Sequence, residues 1–160
     1  MQFQIQLNWA NKDIDLDLTA FLLAEDKWIP SEKDIVYYYN DVSSDGSVQR
    51  KHDDRTGGSG ETLVIDTSKV SENISEILLV VTVYQEDEKK RTFALASQAA
   101  LTIVDDTGKQ WMKCEICQNF AQQTAIEVAR VYKRFGKWRL EDIQVGYQAD
   151  LAHFVNKFVY

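Results

Sequence analysis

The chain has 160 residues, 44% hydrophobic and 11% aromatic, with a net charge of −7. That is the composition of a folded globular protein rather than a disordered one, and the length predicts a single domain over residues 1–160 with a real hydrophobic core. The negative charge argues against a nucleic-acid groove or an anionic membrane as the default partner, and no run of Lys and Arg offsets it.

The chain opens Met1-Gln2-Phe3-Gln4-Ile5-Gln6-Leu7, without a basic segment leading into an apolar run, so no secretory leader is expected. No stretch approaches the roughly 20 apolar residues of a membrane helix. A cytoplasmic location with both cysteines reduced is the expectation.

Phe3, Ile5, Leu7 and Trp9 alternate with polar residues and predict a half-buried strand. After a break at Ala10-Asn11-Lys12, Asp13-Ile14-Asp15-Leu16-Asp17-Leu18 alternates carboxylates with aliphatics and reads as a second strand, continued by the apolar residues 20–24. A turn is expected at 25–27, a loop from Pro30, a strand at 34–39 and a turn at 43–46. Residues 53–61 form an acidic, glycine-rich loop, followed by strands at 63–66, 77–84, 100–104 and 113–120 and a turn at 105–108. Residues 123–135 space Ala125, Ile126, Val128, Ala129, Val131, Tyr132 and Phe135 at helical intervals and predict a helix stopped by Gly136. A last strand at 138–145 and an amphipathic helix at 149–158 complete the chain. Many short strands followed by two helices predict a mainly β fold: a two-sheet antiparallel β-sandwich with two helices in the C-terminal third.

Aspartate is depleted in strands, which makes the Asp13-Asp15-Asp17 ladder informative. Like charges roughly 7 Å apart repel by about 2 kcal/mol per pair at an effective dielectric near 20. A hard cation that takes carboxylate oxygens would relieve that repulsion, with Asn40-Asp41, Asp53-Asp54 and Glu61 as further oxygen ligands and glycines 57–60 allowing carbonyls to turn inward. The competing reading is a set of ordinary solvated acids. A single EF-hand loop is excluded, because Leu18 and Ala24 fall where that loop needs Gly and Glu.

Other motifs are weaker. Cys114-Glu115-Ile116-Cys117 lacks the βαβ context of a redox pair, His52 and His153 are too isolated to complete a zinc site, and structural cysteines are expected. There is no G-x-S-x-G elbow, and Gly57-Gly58-Ser59-Gly60 lacks the Lys-Ser/Thr of a phosphate-binding loop. No catalytic residues are assigned.

Residues 13–23, DIDLDLTAFLL, resemble the D-x-D-L-D-x-S/T-A-F-L-L signature of the TerD family of tellurium-resistance proteins. Further segments agree in order: 34–41 (DIVYYYND), 45–48 (DGSV), 53–57 (DDRTG), 65–70 (IDTSKV), Thr124-Ala125, Val131-Tyr132, Gly136-Lys137-Trp138 and 144–147 (QVGY). The resemblance covers essentially the whole chain. It implies a β-sandwich with C-terminal helices and calcium as the bound metal. It also implies a non-enzymatic role in bacterial tellurite resistance and stress response, in assemblies with other tellurium-resistance proteins, some near the membrane through a partner. The acids in matching motifs are Asp13, Asp15, Asp17, Asn40, Asp41, Asp53, Asp54 and Glu61. Two departures bear on the metal: Ala10 stands where the family commonly has Asp, and the glycine loop before Glu61 is short. The alternative is a metal-free interaction sandwich that has lost calcium binding.

Overall fold

A computed structural model describes residues 1–51, 60–84 and 91–159. Strand β1 (Gln2–Asn8) alternates as expected, with Phe3, Ile5 and Leu7 fully buried. It pairs on one side with β5 (Gly60–Asp66), Ile5 opposite Leu63, and on the other with β7 (Ala100–Asp105), Ile5 opposite Ile103. With β4 (Val48–Lys51) beyond β5 and β8 (Gln110–Glu115) beyond β7, the first sheet runs β4-β5-β1-β7-β8. The second runs β10-β9-β6-β2-β3, from β10 (Lys137–Tyr147), β9 (Ala125–Arg134), β6 (Glu76–Val83), β2 (Leu16–Leu23) and β3 (Ile35–Val36). All pairings are antiparallel, and the two sheets with helices α1 (Ile116–Asn119) and α2 (Leu151–Phe158) are the expected mainly β architecture.

Strands β2 and β6 are buried along their whole length. One face of β2 (Leu16, Leu18, Ala20, Leu22) meets the other sheet in the main core. The opposite face packs Phe21 and Leu23 against Phe154 and Phe158 of α2, with the Phe21 and Phe158 rings 5.2 Å apart. Asp150 caps that helix, its carboxylate accepting from His153 N at 3.0 Å. Asp17 and Thr19 share this second face by strand parity. Thr19 Oγ1 is buried without a hydrogen-bond partner among the described residues.

Four expected elements differ. The helix expected over 123–135 is instead strand β9, central in its sheet. A register shift between Leu79 and Val80 leaves Val128 as an extra residue in β9. Ile126, Val128, Ala129 and Val131 therefore all reach the main core, and the bulge turns a period of two into a spacing that imitates a helix. Gly136 is not a helix stop: Phe135 (φ 51°) and Gly136 (φ 76°) form the two-residue turn between β9 and β10, where positive φ at both positions matches the twist of the paired strands. The strand expected over 113–120 ends at Glu115, and Cys117 lies on α1. The strand expected over 34–39 is only Ile35–Val36. Finally, β2 begins at Leu16, so Asp13 and Asp15 precede the strand and are exposed while Asp17 lies within it and is buried.

A candidate cation site at the open edge of strand β2

Strand β3 pairs with β2 only at Ala20 and Phe21, which leaves the β2 edge near Leu18 without a strand neighbour among the described residues. Glu61, at the start of β5 in the opposite sheet, serves that edge: its Oε2 accepts from Leu18 N at 2.6 Å. Its other oxygen accepts from Arg50 Nη2 at 2.8 Å. Arg50 reaches it because β4 pairs with β5, and its backbone N donates to the Asp41 carbonyl at 2.7 Å. The Arg50 guanidinium also lies 3.7 Å from the Asp41 carboxylate.

The stretch before β2 is held by backbone and indole contacts. Trp9 Nε1 donates to the Ile14 carbonyl at 2.9 Å, and Tyr84 N donates to the Asp15 carbonyl at 2.8 Å. Tyr37 and Asn40 exchange backbone hydrogen bonds of 3.0 Å each, so Tyr38 and Tyr39 form the tip of a two-residue turn. Their rings lie 4.5 Å apart, and Tyr38 is 5.8 Å from the Tyr84 ring.

These pieces enclose a cavity of about 370 Å³, lined by Asp15, Asp17, Glu61, Arg50 and Gly60 and by the rings of Trp9, Tyr38, Tyr39 and Tyr84. A second cavity of about 160 Å³ shares Asp17, Tyr38 and Tyr84 with it and extends to Asp150, Leu151 and Ala152 at the start of α2.

The electrostatics centre on Asp17. Burial, then the charges of Glu61 and Asp15, push its carboxyl up to about 8, with Arg50 opposing. At neutral pH, without a bound cation, Asp17 is therefore mostly protonated. Burial also raises Glu61, against the hydrogen bonds and charge of Arg50 and the Leu18 N–H. Burial works against the Arg50 guanidinium, yet Glu61, Asp41 and Asp17 hold it firmly protonated. Burial and the neighbouring Asp17 charge raise the Tyr38 phenol.

Of the residues singled out in the sequence, Asp15, Asp17 and Glu61 line one cavity, and Asp41 joins them through Arg50. Asp13 is exposed and outside the lining, its backbone carbonyl accepting from Arg91 Nη1 at 3.2 Å. Asn40 is also outside the lining, and its amide nitrogen clamps the Lys33 and Ile35 carbonyls at 3.0 and 2.8 Å. Asp53 and Asp54 lie outside the described residues. No group of three or more His, Cys, Asp or Glu side chains close enough to share one ion occurs among the described residues.

Sequence reasoning missed Arg50 and the ring set of Trp9, Tyr38, Tyr39 and Tyr84. Three consecutive tyrosines cannot share one strand face, and that was the available signal for a turn. Arg50 had no local signal, because strand pairing alone brings it to Glu61. Both cysteines are free. Burial pushes the Cys114 thiol up to about 12, and Cys117 Sγ donates to the Phe93 carbonyl at 3.2 Å, both in keeping with structural cysteines.

The solved structure of a homologue of telluride resistance protein (TerD) from Streptomyces coelicolor A3(2) has the same fold, with a TM-score of 0.80 at 20% identity over 96% of this chain and 94% of that one. Among curated proteins, the tellurium resistance protein TerD of Serratia marcescens is 32% identical over 145 residues, 88% of this chain and 76% of the relative. General stress protein 16U of Bacillus subtilis (strain 168) is 29% identical over 150 residues, 91% of this chain and 78% of the relative. The TerD domain matches residues 1–158, and this chain belongs to the TerD family of tellurium-resistance and stress-response proteins.

Proposed function

We propose that this protein is a calcium-binding, non-enzymatic stress-response protein of the tellurite-resistance type that acts in the cytoplasm as a module of a multi-protein assembly. The observation that carries the metal reading is the charge balance around Asp17. Among the described residues, Asp15, Asp17 and Glu61 line one cavity together with the Arg50 guanidinium. The Asp17 carboxyl is deeply buried and accepts no hydrogen bond from a described residue. Buried carboxylates are ordinarily neutralised, and a hard divalent cation is the species that oxygen ligands of this kind select.

The donor chemistry fits calcium, and Asp17 with Asp15 would hold it. Glu61 is already used by Arg50 and Leu18 N–H, so its recruitment requires Arg50 to release it. The short 53–61 loop, from which the sequence leads one to expect further ligands, is described only at Gly60 and Glu61. When bound, calcium would supply charge neutralisation at this edge; the chain's own residues bind it and exchange a proton at Asp17.

The assembly reading rests on the names of relatives in tellurium resistance and general stress, on a net charge of −7 that disfavours nucleic acid, and on the absence of any assigned catalytic set. No described helix is long and apolar enough to cross a membrane, so membrane association would run through a partner.

A second reading has its own observation. The 2.8 Å Arg50–Glu61 ion pair already supplies an internal cation, which favours a metal-free interaction sandwich. Calcium titration followed by melting temperature separates the two. Binding confined to the native state raises the melting temperature as RT ln(1 + [L]/Kd), and a flat response at millimolar calcium would leave the metal-free sandwich.

A further inference from the structure

A calcium ion leaves most of the cavity unexplained. A volume of about 370 Å³ is roughly ten times the share of one water and falls in the range of small-molecule pockets. Four of its lining residues are aromatic: Trp9, Tyr38, Tyr39 and Tyr84. Aromatic faces offer little to a hard metal ion, but they attract organic cations and bury their alkyl carbons. Described lysines and arginines do stack on rings elsewhere, Lys109 on Trp111, Arg130 on Tyr132, Arg134 on Phe135 and Lys157 on Phe158, and none of these pairs uses a ring of the cavity. Beneath the rings, Asp17 is 5% exposed, lines both cavities and accepts no hydrogen bond from a described residue.

From this arrangement we infer that the cavity is a binding site for an alkylammonium group, seated on Asp17 with Asp15 beside it and enclosed by the Tyr38, Tyr39, Tyr84 and Trp9 rings. Asp17 and Asp15 supply the counter-charge, and the rings supply the cation–π attraction and the apolar cover for carbons next to nitrogen. The smaller cavity shares Asp17, Tyr38 and Tyr84 with the first and is lined by Asp150 on its other side. A chain with an ammonium at each end therefore fits better than one with a single charge. The same group comes either from a free diamine or from a lysine side chain on a basic peptide. This site shares carboxylates with the calcium reading but does not depend on it, and the two ligands compete for Asp17.

The test is titration of the full chain, by NMR and calorimetry at constant ionic strength, with butylammonium, 1,4-diaminobutane and N-acetyl-lysine amide, each repeated with calcium. Saturable binding is expected, with shifts confined to the cavity residues and the diamine tighter than butylammonium. Tyr39→Ala, at a position 79% exposed and so safe for folding, should weaken amine binding about two- to fivefold. Asp17→Asn should weaken amines about tenfold or more. A tighter diamine identifies a free amine as the ligand, and a tighter lysine amide identifies a peptide side chain. Absence of saturable binding by all three probes, or binding that Tyr39→Ala and Asp17→Asn leave unchanged, overturns the inference. Calcium binding in the same samples would then stand on its own, just as amine binding without calcium binding would retire the calcium reading alone.

Discussion

Glu76 and Asp17 are carboxylates at opposite ends of one ladder, on the same face of the sheet and equally buried at 5% exposure, yet they titrate in opposite directions. Glu76 sits opposite Leu23 and Asp17 opposite Thr82, about 20 Å apart along the strands. Burial works against Glu76, but hydrogen bonds and ion pairs from Lys27 and Arg130 outweigh it and lower its pKa. Arg130 holds it at 2.9 Å and is itself held by Glu141 at 2.6 Å. At the other end, among the described residues, the Arg50 guanidinium shares a cavity with three carboxylates, and Asp17 is raised to about 8. Equal burial with unequal neutralisation separates a structural ion-pair network from a carboxyl with little described counter-charge. A perturbed carboxyl in a cavity is a candidate for function, and a satisfied one on a helix-covered sheet is not.

The largest expected effect breaks the satisfied end. Glu76→Gln removes the buried partner of Arg130, leaving it Glu141, and should cost about 2 kcal/mol in chemical denaturation at pH 7, mostly through Arg130, since the Lys27 side chain is 60% exposed and contributes little. Because the Glu76 pKa is lowered, its contribution is present above the ordinary Glu range and fades as pH falls below it. The variant should therefore match wild type in acid. A loss that persists unchanged at low pH contradicts the assignment.

Arg50→Gln removes the only described cation of the open end and leaves Glu61 buried beside Asp17. Without calcium it should destabilise by about 1–2 kcal/mol at pH 7. With calcium the order should reverse, because Glu61 is released to the metal and affinity rises. Calcium affinity that falls instead would assign Arg50 a supporting role in the metal site.

Asp17→Asn sharpens the comparison through pH. The Asp17 pKa is raised on folding, so between pH 4 and 8 the folded chain binds more protons than the unfolded one, and stability falls as pH rises. Calcium-free wild type should lose stability across that window, and Asp17→Asn should remove that part of the slope. At pH 8 the variant is expected to be up to about 1 kcal/mol more stable than wild type. An unchanged slope would show that Asp17 does not titrate in this window.

The smallest effect lies between the two ends. Thr19→Val replaces a buried hydroxyl that has no partner among the described residues with a methyl of similar shape and should stabilise by about 0.5 kcal/mol. Destabilisation would point to a hydrogen bond made by that hydroxyl in solution.

The alternation of Phe3, Ile5 and Leu7 and the short apolar run at 100–104 are legible as strands because each side of β1 and β7 has one environment, core or solvent. β9 was not, because it is central, buried on both faces at its start and bulged at Val128, so its apolar residues fall at intervals of two and one that sum to a helical pattern. β-branched Ile126, Val128 and Val131 were the counter-signal. At the site, Asp15, Asp17 and Glu61 stand out in the sequence by their chemistry, and the structure brings them to one cavity. The ladder was not a ladder, since only Asp17 lies in the strand. Arg50 and the tyrosine turn were illegible because they depend on which strands pair and on how short β3 is.

The central claim, that Asp17 marks an under-neutralised cation site, is tested most directly by calorimetric calcium titration at pH 7 in buffers of differing ionisation enthalpy. With its pKa raised to about 8, Asp17 is mostly protonated at pH 7 before binding and would ionise to hold the metal. The account predicts release of most of one proton per calcium bound in wild type and none in Asp17→Asn. Calcium binding without proton release, or release that survives Asp17→Asn, would contradict it.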